Sequence, residues 1–162
     1  MDWAGAFTAT NVVAVGAWLL LLAGPRGPKT MALVLYLGVG LLCFAYALMA
    51  VGLHAGWFEA GRPPGTPSAN FLDYNIAGLR NLFLSDGGLV LGWTHYLAFD
   101  LFVGQWIARD ADHKGFSRLA QAPVLLLTFL AGPIGLFLWL VIREGRARRG
   151  AKGGGDGKRS TR

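Results

Sequence analysis

The sequence predicts an all-α integral membrane protein: a four-transmembrane-helix bundle with an interfacial helix between spans 2 and 3. Three observations carry that prediction. Of 162 residues, 54% are hydrophobic and 15% charged, a composition too apolar for a small soluble domain in a chain too short for several domains. Four apolar stretches, at about 5–24, 31–53, 89–107 and 124–142, each approach the ~20 residues that cross a hydrocarbon core. They are continuous rather than alternating, which argues against the strands of a membrane barrel.

The first stretch has no basic residue before it, and Ala23-Gly24-Pro25 makes a poor cleavage site, so it is expected to be retained rather than removed as a signal peptide. The second holds Cys43, the only cysteine, so neither an intramolecular disulfide nor a cysteine-based zinc site is available. Packing is its expected role. Between the second and third stretches, Arg62-Pro63-Pro64-Gly65-Thr66-Pro67 excludes helix, because proline fixes φ and removes donors. Beyond it, Phe71, Tyr74, Asn75, Gly78, Leu79, Leu82 and Phe83 recur at helical spacing, which predicts an amphipathic helix at about 70–85, expected to lie on the membrane surface.

The third stretch is apolar but carries Thr94, His95, Tyr96, Asp100 and Gln105. The fourth contains Pro133 flanked by Gly132 and Gly135, where a kink is expected. Small residues four apart, Gly52 and Gly56, Gly88 and Gly92, Gly104 and Ala108, suit close helix packing in lipid. These pairs carry no chemistry. No internal repeat, P-loop, GxSxG or HExxH motif occurs.

The formal charge of +6 resembles a nucleic-acid signal until the basic residues are located. Eight follow the last span in the Gly-rich segment 144–162 and the residue before it, Arg143. Such a segment is expected to be a disordered tail that attracts anionic lipid headgroups, and it lacks the stacking aromatics of a nucleic-acid groove. The membrane domain is therefore placed at 1–143. Four crossings put both termini on one side, where the tail, Arg62 and Arg80 outnumber Arg26, Lys29, Arg109, Lys114 and Arg118. The positive-inside rule then makes both termini cytoplasmic, although the two short opposing loops are themselves basic.

The polar third span concentrates the chemistry. An ionisable residue at the bilayer centre costs about 2.5–3.5 kcal/mol on the translocon scale, whereas helix-to-helix glue can be made with Ser, Thr or Asn. Asp100 is thus a site candidate. Burial disfavours the charged form of a carboxyl group, which suits Asp100 to delivering a proton to a neutral, lipid-soluble substrate. At about 100° per residue, Trp93, Tyr96 and Asp100 share one face, while His95 lies about 140° round from Asp100 and shares its face with Phe99, Phe102 and Trp106. Candidate partners for Asp100 are Tyr96, Asn11, Thr8, Thr10 and Tyr46.

The run Trp93-Thr94-His95-Tyr96-Leu97-Ala98-Phe99-Asp100-Leu101-Phe102-Val103-Gly104, followed by Thr128-Phe129-Leu130-Ala131-Gly132-Pro133-Ile134-Gly135, resembles the abscisic-acid-deficient-four family of plants and its uncharacterised bacterial relatives. The resemblance covers about residues 5–143. It implies a small polytopic membrane protein whose plant members are required to make neoxanthin from violaxanthin, a reaction that opens an epoxide and removes a vinylic proton to leave an allene. That chemistry needs an acid and a base shielded from water. Asp100 and His95 match the family motif and are the expected acid and base, with Trp93, Tyr96, Phe99, Phe102, Gln105, Trp106 and Asn11 expected to bind substrate. The short basic tail, with no long plastid-targeting extension before the first span, suits a bacterial inner membrane.

Two other functions are open. One is a non-catalytic carotenoid-binding or assembly subunit of a membrane complex, with aromatics lining an apolar groove; homo-oligomers belong to the same expectation. The other is a b-type haem protein using His54 and His95, disfavoured because His95 lies about 9 Å deeper than His54 from the same side. Neither a metal nor another cofactor is expected.

Overall fold

The computed structural model describes residues 1–67 and 73–153, with side chains to Glu144. All regular structure among the described residues is helical. The helices are α1 (Trp3–Ala23), α2 (Pro28–Leu33), α3 (Leu41–His54), α4 (Ile76–Phe83), α5 (Asp86–His113), α6 (Arg118–Leu130) and α7 (Gly132–Gly153), with a π-helical segment Val34–Gly40 joining α2 to α3. Two rods are long and apolar enough to cross a membrane: α1, and the continuous run Pro28–His54. α5 is 28 residues long, but its polar residues keep it outside that apolar class.

The chain forms two compact units, residues 1–102 and 103–162. In the first, α1 starts at Asp2, whose carboxylate accepts from the Gly5 N–H, as an N-cap should. Trp3 seeds an apolar cluster with Met49, Val90 and Leu91. Its indole donates to the Glu59 carbonyl at 2.8 Å, satisfying the one polar atom of a buried tryptophan. Further along, Trp93 meets Phe7 and Asn11, and Gly38 sits between Ala17 and Leu101. These pairs run in step, so α1 and the first half of α5 are parallel and α2–α3 is antiparallel to both.

Gly38 lies within the π-helical middle of the second rod. A Cβ there would stand 2.8 Å from the Ala17 methyl and 2.9 Å from a Leu101 methyl. A side chain at Gly38 would therefore press on the side chains of Ala17 and Leu101, and glycine allows the close approach. The π segment inserts an extra residue per turn, which turns the flanking helical faces relative to one another. Gly38 and Val39 thus point inward while Tyr36 and Leu37 face outward. Cys43 is exposed, so the packing role expected for it is not the one it has.

The amphipathic helix expected at about 70–85 is observed as the eight residues Ile76–Phe83. Asn75 caps it, its side chain accepting from the Gly78 N–H at 2.8 Å, and Phe83 seats directly over Gly92 of α5. Residues 68–72, including Phe71, lie outside the described residues.

In the second unit α5 ends at His113 and the chain turns through Gly115, at φ +69°, with Phe116 N–H bonded to the Ala111 carbonyl, a glycine-terminated helix end. Ser117 caps α6. Gln121 is buried and its amide donates to Asp112 and to the Phe116 carbonyl, locking the turn. The fourth apolar stretch is not one kinked helix. Ala131 leaves the helical region at φ −156°, ψ 76°, and Pro133 falls in the first turn of α7, where its missing N–H costs nothing. Gly135 then packs onto the backbone of Thr128. α7 runs to Gly153, so the segment expected to be disordered from 144 begins as helix; residues 154–162 lie outside the described residues.

Candidate functional site

α5 presents its polar residues in different settings, as its periodicity requires. The buried stripe runs through Val90, Leu91, Thr94, Leu97, Ala98 and Leu101. Asp100 adjoins this stripe and is 8% exposed. His95 sits on the open side, stacked on Phe99 with ring centroids 4.5 Å apart and tilted against Tyr46 at 5.6 Å. Its ring is thereby held by an aromatic on its own helix one turn away and another from α3.

His95 lines a pocket of about 860 Å³ walled by α3, α4 and α5. Tyr46, Ala50, Val51 and His54 come from α3, Leu91 and Gly92 from α5, and Gly78, Leu79, Leu82 and Phe83 from α4. Asp73 and Tyr74, just before α4, complete the wall. Its surface is mostly hydrocarbon, with imidazole, phenol and carboxyl groups at a few points, the usual composition of a small-molecule site. The volume lies within the range of such sites, about 300–1,000 Å³. Asp100 is not among the residues lining it.

Beyond Phe99, a second groove of about 480 Å³ continues along the same pair of rods. It is lined by Leu35, Tyr36, Val39, Gly40 and Cys43 opposite Ala98, Phe99 and Phe102. Phe99 belongs to both its wall and the stack on His95.

The other expected site residues are dispersed. Trp93 donates to the Asn11 side chain at 3.2 Å and packs on Tyr96 at 5.3 Å, on a different side of α5, beside a crevice of about 530 Å³ formed with Trp3, Ala4, Phe7, Thr8 and Asp86. Asn11 also donates to the Phe7 carbonyl. The hydroxyls of Thr8 and Thr10 donate to carbonyls of their own helix. Gln105 is buried, and Trp106 lies under the Arg143 guanidinium, 5.4 Å from ring centre to Cζ. Of the nine, His95, Phe99 and Phe102 are joined by adjacent cavities; Trp93, Tyr96 and Asn11 form a second group.

Sequence reasoning missed the contribution of α4. Two signals pointed to it: Gly92 supplies a seat with no side chain, and Phe83 stands one helical turn from Leu79. Both were read as generic, because a small residue in a membrane helix has many uses and an amphipathic segment needs no site beneath it. Among the described residues no cluster of His, Cys, Asp and Glu is arranged to hold a metal ion.

A model of the ABA4-like family, described as ABA DEFICIENT 4-like, matches residues 5–139. No curated protein matches the chain, and no solved structure does.

Proposed function

The chain belongs to the ABA4-like family, and from that premise we propose that it is a multi-pass membrane protein acting on a carotenoid or related polyene by acid/base isomerisation. The single observation that supports this reading is the His95 pocket: an imidazole, positioned by Phe99 and Tyr46, at a largely apolar cavity large enough for the end group of such a molecule. In an epoxide-to-allene isomerisation the base takes a vinylic C–H proton, and the freed electron pair becomes the second double bond of the allene. The epoxide C–O bond breaks, and its oxygen takes a proton from the acid. Proton return from base to acid closes the cycle with no net change in composition.

His95 is assigned as the base. Tyr46 and His54 line its pocket and are the nearest acid candidates in the wall. Asp100 is the acid that the family motif suggests, acting from the far side of α5 on a substrate that wraps the helix. Extracted pigments from an epoxy-carotenoid-producing host, with and without the gene, test the reading by chromatography. A new allenic isomer that disappears with His95→Ala supports it, and an unchanged pigment profile with the intact, membrane-inserted chain overturns it.

A second reading rests on one specific observation. His54 and His95 line the same pocket, as a b-type haem with two histidine ligands would require. The absorption spectrum of detergent-purified protein separates the readings: a sharp Soret band favours haem, a three-peaked polyene spectrum favours a carotenoid-binding or assembly role, and a colourless active protein favours a transient substrate. Membrane lipids are the remaining partner class, with a second copy of the chain or a complex partner consistent with its many exposed apolar side chains.

A further inference from the structure

We propose that the groove beyond Phe99 is a second subsite, which holds the stiff conjugated tail of a ligand whose end group occupies the His95 pocket. The proposal rests on the reading that this pocket receives a polyene end group, though not on the isomerisation itself. Every residue involved belongs to the unit 1–102.

The two cavities lie along one strip of the same two antiparallel rods. On α5, His95, Phe99 and Phe102 follow one another at four and three residues, the spacing that keeps side chains on one face. On the facing rod Cys43 and Tyr46 are three residues apart, with Tyr46 against the His95 ring at 5.6 Å and Cys43 in the groove. Phe99 joins the two cavities, since its ring stacks on His95 at 4.5 Å and also forms part of the groove wall. From His95 to Phe102 the helix advances about 10 Å. A ligand lying along the rods therefore passes from one cavity into the other.

The groove's chemistry selects the kind of tail. No charged side chain lines it, so a polar headgroup finds no partner there. Tyr36 from one rod and Phe99 and Phe102 from the other present rings that are at least half exposed, while Gly40 and Ala98 contribute almost no side chain and leave the width. A lipid acyl chain gains nothing by moving in, because bilayer hydrocarbon is as apolar as these side chains, and it gives up rotamer freedom once held. A conjugated chain is already rigid and offers a π surface to the rings. The groove thus favours a stiff, flat tail over a flexible one.

The backbone gives a second, independent sign. Leu35, Tyr36, Val39 and Gly40, four of the five residues that the first rod contributes, fall in the π-helical segment Val34–Gly40. Such backbone is rare, and where it occurs it frequently marks a functional site.

Cys43 makes the proposal testable, because it is the only cysteine, is exposed and lines the groove. Its alkylation by N-ethylmaleimide is timed by mass spectrometry on the detergent-purified full chain, alone and with each of three probes: violaxanthin, 5,6-epoxy-β-ionone and dipalmitoylphosphatidylcholine. The ionone carries the epoxide ring on a short stub, and the lipid carries only flexible tails. Violaxanthin is expected to slow the reaction by about ten-fold, the effect of nine-tenths occupancy, and the other two to leave it unchanged. A Cβ at Gly40 meets only the Leu35 carbonyl oxygen, at 3.4 Å, so Gly40→Leu fills the groove without crowding a neighbour and is expected to abolish the protection. No protection by violaxanthin, or equal protection by the ionone or the lipid, overturns the proposal. Allenic isomer formed while Cys43 stays unprotected removes the groove and leaves the catalytic reading standing; protection with no isomer keeps the groove and removes the catalytic step.

Discussion

His95 and Asp100 stand five residues apart on one helix, yet the two sides of α5 on which they sit have little in common. The His95 side is open, aromatic and walled by a short helix that rests on a glycine. The Asp100 side adjoins a buried stripe of Leu97, Ala98 and Leu101, with the Leu101 side chain against Gly38. A motif continuous in the sequence is thereby divided between a cavity and a packed interior. Residues on a helix share an environment when they are three or four apart, and five is the spacing that separates them.

Four changes break or sharpen that contrast. The largest effect is expected from His95→Ala: isomer formation falls by about 10²- to 10⁴-fold, the contribution of a positioned general base. The detergent melting temperature stays near that of the parent, because His95 is on the open side. Equal loss of activity and of folded protein would erase the distinction between the two sides.

Gly38→Leu comes next, acting on the packed interior. Ala17 and Leu101 leave no room for a side chain, so the protein loses about 1–3 kcal/mol from overpacking, read as a lower denaturation midpoint. An unchanged midpoint would mean that the three rods separate freely. At the far end of α5, Asp110→Ala removes the acceptor shared by Trp139 and Arg143. Bonds to an ionised group are worth about 1.5–3 kcal/mol each, and Asp110 is partly solvated, so a loss near the lower figure is expected. Proteolysis within 118–144 should rise while the region before 102 stays protected; uniform cleavage along the chain would contradict two separately packed units.

The smallest change is Tyr46→Phe, which keeps the ring against His95 and removes the hydroxyl. Stability should move by no more than about 0.5 kcal/mol. Activity then reports the acid: a large loss here with little loss in Asp100→Asn places the proton donor in the pocket, and the reverse assigns it to Asp100.

Much of the helical content was legible, because long apolar runs and proline or glycine punctuation are local properties. Pro28 opens the second rod, Asn75 caps α4 and Gly115 ends the helix before the last turn. The site was legible only in part. His95 and Phe99 share a face by periodicity, so their stack followed from spacing alone. The pocket around them did not, since it depends on Phe83 finding Gly92 and on α3 lying alongside α5.

Taken by itself, the sequence determined that this chain is helical, roughly where its first two apolar rods lie, and that its polar residues cluster on one helix with a family-specific pattern. Those are consequences of local propensity and of the periodicity of apolar side chains. The tertiary structure alone decided which side of that helix is a cavity, which side chains close on Gly38, and that the last apolar stretch folds back at Ala131. Each depends on residues distant in sequence meeting at contact distance, and neither composition nor periodicity encodes which partner arrives.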